Sequence, residues 1–109
     1  MKVRKEEAIK EVWDNVESRN YKLTHLPSKY QSIVYAKLTG SHGEVHTSEV
    51  ERVYYVLRGE GEFNVEGEMT KVVQGDVFTV PPQKTYNYYP LQDSTEPLEI
   101  LLFMELWNN

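Results

Sequence analysis

The sequence predicts an all-β fold, a small antiparallel barrel that is preceded by one α-helix. From about residue 21 onward, short runs rich in Val, Ile, Tyr, Phe and Thr follow one another, and these residue types favour strands. Glycine and proline separate the runs at near-regular intervals, which is typical of antiparallel sheets joined by turns. The predicted strands span 31–38, 43–47, 52–58, 61–66, 68–73, 77–80, 85–89 and 98–106.

Two of these runs, RVYYVL and EILLFMEL, are apolar on both faces. A strand that is buried on both sides fits a small barrel whose outer face is covered, either by a second chain or by the N-terminal helix. Between two alternating runs, Glu66 and Gly67 are predicted to form a hairpin turn, because glycine readily adopts the positive φ that such a turn needs.

Residues 5–19 are predicted to be helical. Four apolar residues recur at the i, i+3, i+4 and i+7 spacing of one helix face, and charged residues occupy the other side. The apolar residues are Ile9, Val12, Trp13 and Val16. One narrow apolar stripe indicates packing against a larger body. We therefore expect a single domain with an N-terminal helix over residues 1–20 and a barrel over residues 21–109.

The composition is that of an ordinary globular domain. The chain has 109 residues, of which 39% are hydrophobic and 27% charged, so its length suits one modest core. A net charge of −5 without a concentrated basic face argues against a nucleic-acid partner. The chain has no cysteine, which excludes thiolate chemistry. No apolar leader and no run of about 18 apolar residues is present, so we expect a cytoplasmic protein without a membrane partner.

Two stretches of the sequence carry a resemblance to a known family. The first runs from Gly40 through His46 to Gly59, and the second begins at Gly75 and reads GDVFTVPPQKTYNYY. Their order and separation resemble the two motifs of the cupin family, G-x5-H-x-H-x3-4-E-x6-G and G-x5-P-x-G-x2-H-x3-N. The resemblance covers roughly residues 31–103, and it implies a small cupin barrel of the jelly-roll type.

The chain departs from the family pattern at the metal ligands. In the family, two histidines and a glutamate of the first motif and a histidine of the second typically hold one divalent ion. Those positions fall on His46, Ser48, Arg52 and Tyr86, and the second motif's glycine falls on Gln83. A guanidinium repels a cation, and neutral serine and tyrosine are poor ligands. We therefore predict that the protein uses neither a metal nor another cofactor.

The substituted positions predict a barrel pocket for a polar or anionic small molecule, such as a sugar or a small acid. A buried arginine needs an anionic partner, which a ligand carboxylate or a protein carboxylate can provide. An alternative is that Arg52 pairs with Glu99 or Glu105 of the last strand and that aromatic side chains fill the barrel. The predicted ligand-binding residues are His46, Ser48, Arg52, Tyr54, Gln83, Tyr86 and Tyr88.

The sequence leaves open whether the protein is an enzyme. One hypothesis is a metal-independent isomerase or epimerase of sugars, comparable with members of the cupin superfamily, in which His46 and Tyr86 act as base and acid. Another is a divalent-metal enzyme that combines His46 with non-standard ligands such as His42 and Glu44. The resemblance also implies a homodimer through sheet faces or exchanged terminal strands, and the apolar segment at 98–107 supports this.

Overall fold

The computed structural model describes residues 2–106, and these residues form two antiparallel sheets that face each other as a jelly-roll barrel. The larger sheet has the strand order β1-β2-β3-β10-β5-β8, and the smaller has the order β4-β9-β6-β7. The strands are β1 (Ile9–Trp13), β2 (Val16–Lys22), β3 (Ser32–Leu38), β4 (Val45–His46), β5 (Arg52–Arg58), β6 (Glu60–Val65), β7 (Glu68–Val73), β8 (Val77–Val80), β9 (Thr85–Pro90) and β10 (Leu98–Met104).

The all-β prediction is confirmed, and so is the turn between β6 and β7. Glu66 and Gly67 have φ values of 50° and 91°, the left-handed conformations that a two-residue hairpin turn requires. The strands that follow residue 30 lie within a few residues of their predicted bounds. Among residues 2–106, no helix is long and apolar enough to cross a membrane.

The predicted N-terminal helix is wrong. Only a 3-10 turn at Lys5–Glu7 is helical there, and the rest of the segment forms the hairpin of β1 and β2 on the edge of the larger sheet. Asp14 has a φ of 40° in the tight turn between these strands. In β2 the buried residues alternate with more exposed ones, but two of the three buried residues, Ser18 and Asn20, are polar. Because they are polar, the period-2 pattern of a strand is hidden in the sequence.

The core lies between the two sheets and is rich in aromatic rings. Tyr54 projects inward from β5, Phe63 from β6, and Tyr86 and Tyr88 from β9, and each is almost fully buried. Aliphatic residues of β3, β5 and β10 complete the core, and burying one such side chain contributes about 1.5–3 kcal/mol. Four aliphatic residues of these three strands are fully buried, namely Leu38, Val56, Leu98 and Ile100.

Gly59 explains why the first sequence motif ends in glycine. It joins β5 to β6 with a φ of 85°, and a Cβ built at this position would lie 2.4 Å from the carbonyl oxygen of Pro97. No other residue satisfies both the left-handed backbone and this close approach. The tight connection holds β5 in the register that places Arg52 at the inner face of the barrel.

Candidate functional site

Two substituted motif positions meet inside the barrel. Nη1 of Arg52, on β5, donates a hydrogen bond to the hydroxyl of Tyr86, on β9, over 3.1 Å. Tyr54 follows Arg52 by two residues and therefore lies on the same face of β5, and its hydroxyl is 2.5 Å from that of Tyr86. The three side chains form one buried hydrogen-bonded cluster between the sheets.

A carboxylate at the end of β10 completes this cluster. Nη2 of Arg52 contacts Oε1 of Glu105 over 3.2 Å, and the two side chains are 7% and 25% exposed. The pairing corresponds to the alternative in which a glutamate of the last strand neutralises Arg52. Glu105 is that residue, whereas Glu99 accepts a hydrogen bond from the hydroxyl of Tyr35.

The ion pair is only half formed. Nε of Arg52 and Oε2 of Glu105 are both buried, and neither has a hydrogen-bond partner. A guanidinium can bind a carboxylate side-on with two parallel hydrogen bonds, from Nε and from one terminal nitrogen. Here only the terminal nitrogen is engaged. The site thus contains one free donor and one free acceptor in a buried environment, where unpaired polar atoms are costly.

Aromatic rings fill the barrel interior beside this cluster. Tyr88 stacks on Phe63 with a centroid distance of 4.9 Å and an interplanar angle of 9°. Tyr54 meets Tyr88 edge-on at 5.1 Å. Such packing makes Tyr54 and Tyr88 part of a dense core, so any ligand at Arg52 has to be small.

The structure separates His46 from the cluster. Val45 pairs with Tyr86 in the register of β4 and β9, and His46 pairs with Thr85. Because neighbouring residues of a strand face opposite sides, His46 points away from the barrel interior. Its ring is exposed, and Nδ1 lies 2.9 Å from the hydroxyl of Thr85. This geometry contradicts the hypothesis that His46 and Tyr86 act as a base and acid pair.

Ser48 and Gln83, also predicted to bind the ligand, lie in connecting segments outside the cluster. Both residues are exposed, and the backbone N–H of Gln83 donates to the carbonyl of Ser48 over 3.0 Å. Gln83 has a φ of 59°, which suits a turn residue. These two residues therefore shape the turn before β9 and do not contribute to the Arg52 cluster.

Thr47, between the two histidine positions of the first motif, is the residue that points inward there. It is fully buried, and its hydroxyl donates to the carbonyl of Pro81 over 2.7 Å and accepts from the N–H of Lys84 over 2.9 Å. These bonds hold the segment before β9 in place. The alternation of inward and outward side chains along β4 and β9 could have predicted that Thr47 points inward. With two residues, however, β4 is too short for this alternation to be seen in the sequence.

His42 is the histidine that reaches the aromatic core. Its ring stacks on Tyr88 at 4.8 Å and 19°, and it meets the ring of Trp13 edge-on at 5.4 Å. Its backbone N–H donates to the carbonyl of Tyr88 over 2.9 Å. The sequence places His42 between two glycines, a pattern that indicates a loop and conceals this contact.

Residues 36–104 match the family model described as the cupin domain. The chain belongs to the cupin family. Comparison with curated protein sequences gave no match. Among solved structures, this cupin is similar to a Thermotoga maritima protein described as a predicted oxalate decarboxylase. The two are 25% identical with a TM-score of 0.81, and the similarity covers 98% of this chain and 100% of that one.

Two further solved cupin-like structures show the same fold at lower identity. Pac13 of Streptomyces, a nucleoside dehydratase, is 20% identical with a TM-score of 0.78, over 99% of this chain and 84% of that one. KdgF from a Halomonas species is 19% identical with a TM-score of 0.71, over 94% of this chain and 91% of that one. At these identities the similarity concerns the fold alone.

The residues of this cupin do not fit the metal ion that the family typically holds. A divalent ion requires several imidazole or carboxylate donors that converge on one point. Within residues 2–106, no group of three or more His, Cys, Asp or Glu side chains is arranged to bind one. At the family's ligand positions the guanidinium of Arg52 faces the hydroxyl of Tyr86, and His46 points elsewhere. A cation at this point would be repelled by Arg52.

The buried phenols are held in their neutral form. Burial raises the pKa of Tyr86, although the charge of Arg52 acts against this, and burial raises the pKa of Tyr54 and Tyr88 further. Burial disfavours the charge of Arg52, but its contacts with Tyr86, Tyr54 and Glu105 outweigh that effect and raise its pKa. At neutral pH the cluster therefore contains a fixed positive charge and neutral hydroxyls, which can donate hydrogen bonds but cannot act as bases.

Proposed function

We propose that this cupin binds a small carboxylate at Arg52, inside the barrel and without a metal ion. The observation that carries the proposal is the half-formed ion pair with Glu105, in which Nε of Arg52 is buried and unpaired. A ligand carboxylate can accept hydrogen bonds from Nε and Nη2 together, in the bidentate geometry that guanidinium groups favour. The present partner makes only one of these two bonds.

Glu105 is suited to be an exchangeable counter-ion. It lies just beyond the last residue of β10, and its side chain is 25% exposed, whereas that of Arg52 is 7% exposed. Glu105 can therefore turn toward solvent while Arg52 stays in place. In the absence of a ligand it supplies the negative charge that a buried arginine requires. A ligand carboxylate that replaces it restores this charge and also satisfies Nε.

The size and polarity of the ligand follow from the surrounding side chains. The rings of Tyr54 and Tyr88 pack the interior beside Arg52, so a ligand at this point has to be a small acid rather than a large nucleotide. The hydroxyl of Tyr86 borders the guanidinium and can donate or accept one further hydrogen bond. The similarity to the Thermotoga maritima protein described as a predicted oxalate decarboxylase, a name that specifies a small dicarboxylate, adds support for this ligand class.

The proposal can be tested by isothermal titration calorimetry with acetate, oxalate, malonate, uridine and glucose as separate probes. We expect the acids to bind and the neutral molecules to give no heat. Arg52→Gln should abolish acid binding because it removes the charge and the side-on donor pair. A matched control is Arg58→Gln, which changes an exposed arginine on the same strand and should bind normally. Equal binding of acids by Arg52→Gln would contradict the proposal.

A further inference from the structure

A cleft of about 560 Å³ opens at the end of the barrel opposite Arg52. Two connecting segments form its walls, residues 39–41 after β3 and residues 91–97 between β9 and β10. Tyr89 and Pro90, the last two residues of β9, complete its lining. None of the residues in this lining takes part in the Arg52 cluster.

Strand β10 runs along the barrel between the cleft and Arg52. Its first residue, Leu98, directly follows the second wall, whereas Glu105, just beyond its last residue, contacts Arg52. The seven residues of β10 span about 20 Å at the rise of an extended strand. The cleft is therefore a second site, separate from the first. Trp107, at the far end of the apolar segment that begins at Leu98, lies outside the described residues.

The first wall of the cleft is fixed by contacts with two neighbouring strands and turns. The backbone N–H of Thr39 donates to the carbonyl of Asn15 over 2.9 Å. The side-chain amide of Asn87 donates to the hydroxyl of Ser41 over 2.9 Å. Between them, Gly40 packs so closely that an added Cβ would lie 2.7 Å from Cγ of Asn15. This wall is therefore held in place before any ligand arrives.

The second wall is braced by its own residues. Pro90 and Pro97 stand at its two ends, and proline restricts the backbone φ there. The N–H of Ser94 donates to the carbonyl of Leu91 over 3.0 Å, and its hydroxyl donates to the carbonyl of Glu96 over 3.1 Å. A site that is formed in advance loses little conformational entropy when it binds a ligand.

The lining offers no free cation to a ligand. Among the described residues that form it there is no lysine, arginine or histidine. Its one carboxylate, that of Glu96, lies 3.5 Å from Nε of Arg58, which stands outside the lining. An anion would therefore meet a carboxylate rather than an unpaired positive charge, and this disfavours phosphates and acids.

The lining instead presents groups that both donate and accept hydrogen bonds. The side chains of Gln92 and Thr95 are exposed and make no hydrogen bond within residues 2–106. A sugar hydroxyl also donates and accepts, so it matches amide and hydroxyl groups. Five residues of the lining carry a hydroxyl, namely Thr39, Ser41, Tyr89, Ser94 and Thr95.

Tyr89 supplies an apolar surface beside these polar groups. Its hydroxyl donates to Oε1 of Glu62 over 2.7 Å, which fixes one end of the half-buried ring. No other aromatic ring of residues 2–106 packs on it. The C–H face of a sugar ring can pack on such a ring, while the sugar hydroxyls bind the polar side chains around it.

We propose that this cleft binds a neutral oligosaccharide of at least two sugar rings. Its volume falls within the range of about 300–1,000 Å³ that is usual for small-molecule sites. A ligand of two rings can contact both walls and Tyr89 together, whereas a single ring such as glucose leaves much of the cleft to water. The proposal is independent of the carboxylate site at Arg52.

The test is a titration of isotope-labelled protein, followed by two-dimensional NMR of the amide signals, with cellobiose, maltose and chitobiose as separate probes. At millimolar concentration at least one of them should shift the signals of the two walls and of Tyr89. Signals of Arg52 and Tyr86 should stay unchanged. Glucose should bind about tenfold more weakly or less, because it makes fewer contacts. The proposal would be overturned if no disaccharide shifted any signal, or if the shifts lay elsewhere in the chain.

Two exposed positions of the lining allow variants with matched controls. Thr95→Tyr fills the cleft and should weaken disaccharide binding by about tenfold or more. Gln92→Ala removes one amide and should weaken it by about three- to tenfold. Thr79→Tyr and Gln74→Ala change exposed residues outside the cleft and should bind like the wild type. Wild-type affinity in both cleft variants would contradict the assignment.

Two further variants separate the role of the ring from that of the other site. Tyr89→Ala should abolish disaccharide binding, whereas Tyr89→Phe keeps the ring and should retain most of it. Arg52→Gln should bind the disaccharide normally, so a failure of the carboxylate site does not affect this result. Equal loss of binding in Tyr89→Phe and Tyr89→Ala would show that the ring does not pack on the sugar, and loss in Arg52→Gln would overturn the proposal of a separate site.

Discussion

Arg52 and Glu105 form an ion pair that uses only one of the two hydrogen bonds open to it. Nη2 of Arg52 contacts Oε1 of Glu105 over 3.2 Å, while Nε and Oε2 are buried without partners. Arg52 occupies the position at which the cupin motif has a metal-binding glutamate. The substitution reverses the charge at that point, and this reversal is the basis on which we propose an anion site.

Replacing Arg52 should change stability through Glu105 and Tyr86. Arg52→Ala should lower the free energy of unfolding by about 1–3 kcal/mol, because it leaves a carboxylate and a hydroxyl without their partner. The double variant Arg52→Met with Glu105→Gln should recover most of this loss, because no charge then remains in the cluster. Urea denaturation measures both values. An unchanged midpoint for Arg52→Ala would show that the ion pair does not contribute to folding.

The hydroxyl of Tyr86 should contribute to stability as the link between Arg52 and Tyr54. Tyr86→Phe should lower the free energy of unfolding by about 1–3 kcal/mol, since it leaves buried donors without an acceptor. Tyr89→Phe is the matched control, because the hydroxyl of Tyr89 bonds Glu62 over 2.7 Å in a less buried position on the same strand. Tyr89→Phe should lower the free energy of unfolding by much less than Tyr86→Phe does. Thermal denaturation measures both losses. Equal costs would contradict the assigned role of the cluster.

Stability should fall in mild acid because of His42. Burial lowers the pKa of His42 below the ordinary value of 6.5. The unfolded chain therefore takes up the proton first, so the stabilisation is present above pH 6.5 and is lost as the pH falls below it. His42→Phe keeps a ring on Tyr88 but cannot titrate, so its melting temperature should decrease less between pH 7 and pH 5. Parallel pH curves for the two proteins would contradict this prediction.

Alkaline conditions should destabilise the barrel through the buried phenols. Burial raises the pKa of Tyr54 and Tyr88 above the ordinary value of 10.0, and burial together with Glu99 raises that of Tyr35 to about 12. A raised pKa in the folded state means that the unfolded chain ionises first, so stability is constant below pH 10 and falls above it. Absorbance of tyrosinate during an alkaline titration should show Tyr54 and Tyr88 ionising only with unfolding.

Gly59 should tolerate no side chain. At Gly59 an added Cβ would meet the carbonyl of Pro97 at 2.4 Å, and the φ of 85° is unfavourable for other residues. Gly59→Ala should therefore lower the free energy of unfolding by about 3 kcal/mol or more. Backbone strain alone would lower it by only about 1 kcal/mol. Gly43→Ala supplies that baseline, because Gly43 has a φ of 95° and no atom within 4 Å of an added Cβ. Equal destabilisation of the two variants would contradict the steric argument.

The fold was predictable from sequence because two independent signals agree. Strand-like runs end at glycine or proline, and the motif glycines place Arg52 and Tyr86 at positions that the structure brings together. The hairpin of β1 and β2 was not predictable, because Ser18 and Asn20 are polar residues at buried positions of a strand. In addition, the apolar residues of this segment follow the spacing of an amphipathic helix; they are Ile9, Val12, Trp13 and Val16.

The sequence predicted only some of the residues that form the site, because the direction in which a side chain points depends on the register between strands. His46 fits the family motif by spacing, yet its pairing with Thr85 turns it outward. Glu105 was one of two candidates on the last strand, and no sequence signal distinguished it from Glu99. The choice depends on which glutamate lies at the barrel end beside Arg52, and this is a property of the assembled sheets.

The affinity of oxalate for the wild type and for Glu105→Gln, measured by calorimetry at pH 7, is the most direct test of the central claim. If Glu105 competes with a ligand for Arg52, the variant should bind about five- to tenfold more tightly, because the arginine is no longer neutralised by its own chain. Binding by the variant should also disappear when Arg52→Gln is added. Equal affinity in the wild type and Glu105→Gln, or no binding by either, would contradict the account.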